Sequence, residues 1–105
     1  MHLPYGADML VRLTEVCRNN TLTTRQGDYS LREVFVNPEH VVMIREEARL
    51  REINQQIPLT EGLKQDHQFT KLTINRCHTC TEIIVVGSPD IVERHLNTNK
   101  QLLRG

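Results

Sequence analysis

The stretch FTKLTINRCHTCTEIIVVGSPDIVERHL, residues 69–96, decides the fold. In FTKLTIN, Leu72 and Ile74 alternate with Lys71, Thr73 and Asn75, the two-residue period of a half-buried strand. The β-branched run TEIIVV, Thr81–Val86, reads as a second strand. Only Arg76–Cys80 lies between them, so the two pair as an antiparallel hairpin with that segment at its tip. Ser88-Pro89-Asp90 then opens a helix. Serine caps free backbone N–H groups, proline suits the first helical position, and aspartate complements the positive end of the helix dipole. The apolar stripe of this helix is Ile91, Val92, His95 and Leu96. Leu102 and Leu103 would prolong it, but Asn97 and Asn99 predict fraying there.

Working towards the N-terminus, residues 46–58, EEARLREINQQIP, carry Leu50, Ile53 and Ile57 at helical spacing and end at Pro58. They read as a helical insert, with an elongated hairpin arm as the competing reading. LTEGLKQDH, Leu59–His67, is a loop. HVVMIRE supplies another strand from about His40 to Arg45, and its four consecutive apolar residues predict burial on both faces or a place at an interface. Asn37-Pro38 breaks it from a preceding strand, LREVFVN, because proline cannot donate to a ladder. LVRLTEV, Leu10–Val16, is the first strand, with Val11 and Leu13 on one face and Arg12 and Thr14 on the other. Residues 1–8 read as a loose lead-in and Asn19–Ser30 as a polar, turn-rich loop. The expected fold is α+β, one small domain spanning residues 1–105. It has a mainly antiparallel sheet of about five strands, a C-terminal α-helix and the helical insert in the middle.

Composition narrows the function. Hydrophobic residues make up 38% of the chain and Trp is absent, so the core is aliphatic and modest. A thin core gains stability by associating with a second copy, which predicts a homo-oligomer. Lys+Arg and Asp+Glu number 13 each, a balance that weakens any reading in which phosphate contacts dominate. No apolar run is long enough to span a membrane, and the first ten residues lack the basic start and apolar core of a secretory signal, so the expected location is cytoplasmic. Three cysteines, an odd number, fit a reducing compartment better than a disulfide framework.

Cys77 and Cys80, two residues apart, are half of a tetrahedral zinc site; Cys17 and His67, or a cysteine of a second copy, are the available further ligands. No second paired motif accompanies them, so the expected cofactor set is none, with structural zinc as the alternative. A redox role is weaker, because Cys80 leads into a strand rather than a helix whose dipole would lower a thiol pKa. A nucleic-acid-binding alternative rests on Arg12, Arg18, Arg25 and Arg32 gathering on the first hairpin, with few aromatic residues to stack bases. No set of acid, base and nucleophile converges in the sequence, no phosphate loop is present and no small-molecule substrate is evident; the expectation is therefore no enzyme.

The segments REVFVNPEHVVMI (32–44), KLTI (71–74) and TEIIVVGSPDIVERHL (81–96) resemble the small flagellar and swarming-motility proteins of the FlbD type. In that pattern a strand ends in an asparagine, here Asn37, and the closing helix opens on a serine, here Ser88. VRLTEV matches its first strand. The chain departs from the pattern in the Asn19–Ser30 loop, the 46–67 insert and the cysteine-bearing tip. The resemblance implies a β-rich accessory or regulatory protein without enzyme chemistry. The expected function is accordingly binding to protein, including a second copy, with Val41, Val42, Met43, Ile44, Leu50, Ile53 and Ile57 as the interface.

Overall fold

In the computed structural model the described residues are 10–18, 29–76 and 78–104, with the side chains of 98–104 not described. The element order is β1 (Val11–Arg18), β2 (Tyr29–Val36), a single 3-10 turn (Pro38–His40), β3 (Val41–Glu46), α1 (Ala48–Gln56), β4 (Phe69–Arg76), β5 (Thr79–Val86) and α2 (Pro89–Arg104). All strand pairs are antiparallel, and the spatial order is β2-β1-β5-β4-β3. The class is therefore α+β, with five strands, a C-terminal helix and a short helix between β3 and β4.

The hairpin that decides the fold forms as its alternation requires, with Phe69 opposite Val86, Leu72 opposite Ile83 and Arg76 opposite Thr79. Its strands run closer to the tip than expected: Cys80 lies within β5 opposite Asn75, rather than in the turn. One face of the sheet packs Val11, Leu13, Val36, Leu72 and Val85 against Val92 and Leu96 of α2. The opposite face packs Val16 and Phe69 against Leu50 of α1 and Leu59 and Leu63 of the loop between α1 and β4. Phe69, Leu72, Val85 and Val92 are essentially inaccessible, each contributing about 1.5–3 kcal/mol by leaving water.

Several expectations are corrected. Burial on both faces belongs to β5, not β3. Ile83 and Val85 pack under α2, while Ile84 and Val86 pack on the α1 side. β3 contains no fully buried residue, because it is an edge strand. Residues 48–56 form a helix, which removes the hairpin-arm reading. Its buried side is not the Leu50–Ile53–Ile57 stripe: Leu50 and Asn54 point inward, whereas Ile53 and Ile57 are exposed. Likewise Val92 and Leu96 form the buried stripe of α2, and Ile91 and His95 are exposed. That helix continues past Asn97 and Asn99 to Arg104 instead of fraying. The lead-in 1–8 and most of the Asn19–Ser30 loop lie outside the described residues, but Tyr29 and Ser30 belong to β2.

Two local devices join the elements. Asn37 stays extended and its side-chain oxygen accepts from the Glu39 N–H at 2.9 Å, starting the 3-10 turn at Pro38. At the β5–α2 junction Gly87 adopts φ +124°, its N–H donates to the Gln68 carbonyl at 2.7 Å, and its carbonyl accepts from the buried Thr70 hydroxyl at 2.8 Å. Ser88 then caps α2: its Oγ accepts from the Ile91 N–H at 3.4 Å. No helix among the described residues is long and apolar enough to cross a membrane.

Candidate binding surfaces

Among the described residues, Cys17, Cys80 and His67 do not converge within one chain. Cys17 shares its side of β1 with Glu15, which lies opposite Val85 on the α2 face. Cys80 has the parity of Ile84 and so occupies the opposite face. His67 precedes β4, whose eight residues set it about 26 Å of strand away from the hairpin tip at about 3.3 Å per residue. His67 also has a local partner, since its Nδ1 accepts from the Lys64 backbone N–H at 2.8 Å. Cys77 lies outside the described residues. Among the described residues no group of three or more His, Cys, Asp or Glu is placed to hold a metal ion. Burial pushes the Cys17 thiol pKa up, and the neighbouring Glu15 carboxylate adds to this against the opposing pull of Arg32.

The arginine set is divided as well. Arg12 points to the α1 side of the sheet and meets Glu33 at 3.2 Å; Arg32 points to the α2 side and meets Glu15 at 3.3 Å. Arg18 sits exposed at the end of β1 opposite Tyr29, and Arg25 lies outside the described residues. Strand alternation thus gives Arg12 and Arg32 different faces, and each has a carboxylate beside it.

The apolar set behaves differently. Val42 is 58% exposed, Met43 43%, Ile53 39% and Ile57 57%, all in the continuous β3–α1 segment. Val41 opposes Ile74 and Met43 opposes Thr73, so Val42 is the extra residue of a β-bulge. Val41 and Ile44 lean on the core beneath α2, and Leu50 is buried in the second core. The segment is held firmly. The Glu47 N–H donates to the Phe69 carbonyl at 2.8 Å, Arg51 pairs with Glu46 at 2.6 Å and Lys71 with Glu47 at 3.4 Å. Arg45 folds back so that its Nη2 lies 3.1 Å from the Met43 sulfur.

Three residues matter that sequence reasoning missed. Asn54 is fully buried; its amide donates to the Lys64 carbonyl at 2.6 Å and its oxygen accepts from the Leu59 N–H at 2.8 Å. The available signal was an asparagine four residues after Leu50 on the same helical side, where a poor helix former needs hydrogen-bond partners to be retained. Thr70 is the second, buried where β-alternation alone marks a core position. Phe35 is the third: it is 55% exposed on the edge strand β2, opposite Arg12. A shallow cleft of about 360 Å³ lies where Lys64, His67 and Gln68 meet Gly87, Ser88 and Ile91. Comparison with models of protein families finds no matching family, and comparisons with curated proteins and with solved structures find no match.

Proposed function

We propose that this chain is a small non-enzymatic accessory or regulatory protein that works by binding protein, a second copy of itself included. The observation that carries this reading is the exposure of four large apolar side chains, Val42, Met43, Ile53 and Ile57, on the adjoining β3–α1 segment. Exposed apolar side chains grouped on one anchored segment favour contact with another apolar surface. The Glu47–Phe69 backbone bond and the Lys71–Glu47 ion pair hold the segment to β4, and Arg51–Glu46 ties its helix to its strand, so little ordering entropy is lost on docking. The partial resemblance to the FlbD-type motility proteins agrees with an accessory role.

Molar mass measured by light scattering over a wide concentration range tests the self-associating part. The expected result is a mass rising above that of one chain. A strict monomer at the highest concentration overturns it.

A further inference from the structure

The two edges of the sheet are not equivalent. β3 is six residues long, bulged at Val42 and capped by Arg45 lying over Met43, features that discourage a further strand. β2 is eight residues long, has no proline and keeps one register with β1 over eight pairs. Among the described residues no strand pairs with its outer edge. Its two charged side chains turn inward to β1, Glu33 to Arg12 and Arg32 to Glu15. Along Leu31–Val36 a second strand approaching this edge meets backbone that no strand among the described residues pairs, the exposed Phe35 ring, and charges already matched across to β1.

Identical antiparallel strands related by a two-fold axis must be centred on one residue that faces itself. A centre at Arg32 sets Arg32 against Arg32, and a centre at Glu33 sets Glu33 against Glu33. Like charges directly opposite are destabilising. A centre at Leu31 leaves Val34, Phe35 and Val36 outside the ladder shared within β2. A centre at Val34 avoids the like-charge contact and keeps Phe35 in that ladder, leaving out Tyr29, Ser30 and Leu31 instead. It sets Glu33 against Phe35, Arg32 against Val36 and Leu31 against Asn37. It also aligns neighbouring strands, because Leu13 lies opposite Val34 and Arg12 opposite Phe35. On the α2 face the row becomes Leu13, Val34, then Val34 and Leu13 of the copy, extending the core that already holds Leu13 and Val34. On the other face Arg12 and the copy's Glu33 flank Phe35 with opposite charges.

We propose that β2 is a self-association edge, joining two copies in antiparallel register about Val34 into one continuous ten-stranded sheet. This rests on the protein-binding reading and assigns the second copy to β2, leaving the β3–α1 surface for another contact. The ladder is short, so the dimer is concentration-dependent.

Sedimentation velocity over a concentration series, with thermal melting to verify the fold, decides the matter for the wild type and for the Val34→Lys, Phe35→Lys and Val42→Lys variants. The wild type is expected to approach twice the monomer mass. Val34→Lys brings two ammonium groups together at the axis and is expected to weaken the dimer at least tenfold. Phe35→Lys places its ammonium opposite Glu33 of the copy and is expected to retain the dimer. A dimer unaffected by Val34→Lys, or lost in a folded Phe35→Lys, overturns the proposal. If Val42→Lys alone dissociates the dimer, the protein-binding reading survives with the interface at β3 and the β2 assignment fails. A wild-type monomer at every concentration removes self-association altogether.

Discussion

The side-chain amide of Asn54 donates to the backbone carbonyl of Lys64 at 2.6 Å, tying α1 to the loop that leads to β4. The same side chain accepts from the Leu59 N–H, so both polar ends of one fully buried amide are satisfied. This clasp holds Leu59 and Leu63 against Phe69 and completes the second core. Asn54→Ala leaves the Lys64 carbonyl and Leu59 N–H without that partner and is expected to cost about 2–3 kcal/mol. Gln55→Ala, at an exposed position beside it, is expected to change stability by less than about 0.5 kcal/mol. Urea unfolding midpoints compare the two; equal midpoints would show that the clasp contributes nothing.

The two sides of α1 should separate cleanly in stability. Leu50 is buried among Val16, Leu59, Leu63 and Phe69, so Leu50→Ala is expected to destabilise by about 2–5 kcal/mol through the cavity it leaves. Ile57→Ala removes a side chain that is 57% exposed and should fall within about 1 kcal/mol of wild type. A large loss for Ile57→Ala would mean that Ile57 is already covered in solution, which a dependence of the melting temperature on protein concentration would reveal.

Gly87→Ala is expected to cost about 1–3 kcal/mol, because a φ of +124° is a backbone region that a side-chain-bearing residue rarely occupies. Space is not the obstacle: an added Cβ would meet the nearest side-chain atom, of Val92, at an ordinary 3.5 Å. Thr70→Val keeps the shape and removes the hydroxyl donor to the Gly87 carbonyl, an expected loss of about 1 kcal/mol. Differential scanning calorimetry of the two variants checks both, and a Gly87→Ala protein as stable as the wild type would contradict the backbone conformation described.

Cys17 carries a pH dependence with a definite sign. Its thiol pKa is raised in the folded state above an ordinary value of 9.0, chiefly by burial, so the folded protein retains this proton longer than the unfolded chain does. The stability linked to Cys17 is full below pH 9.0 and declines as pH rises through and beyond that value. Cys17→Ala should flatten the decline in stability measured from about pH 8 to about pH 10, roughly one unit either side of that ordinary value. An unchanged slope would rule Cys17 out as its source.

Binding to polyanions should be weak and insensitive to the paired arginines. Arg12 and Arg32 occupy opposite faces beside Glu33 and Glu15, so neither adds to one continuous basic surface. Replacing Arg12 with alanine is expected to leave the salt at which the protein elutes from heparin unchanged. A clear drop in that salt concentration would restore the nucleic-acid-binding alternative.

Local pattern determined much of this protein. The alternation of Leu72 and Ile74 with Lys71, Thr73 and Asn75 specified β4, the Ile83–Val86 run specified β5, and Ser88-Pro89 marked the start of α2. Such features are short-range: a side-chain period and a cap depend on residues a few positions apart. What only the tertiary structure decided depends on neighbours distant in sequence. β1 joins β5 through the Glu15–Val85 pair, which makes β5 a covered inner strand and leaves β2 and β3 as edges. An apolar run alone cannot distinguish VVMI at an edge from IIVV inside, because both satisfy strand propensity and only strand order sets what lies on either side. The buried side of α1 was decided in the same way, by the carbonyl of Lys64 and the N–H of Leu59 reaching Asn54. Strand parity, once the order was set, sent Cys17 and Cys80 to opposite faces of the sheet.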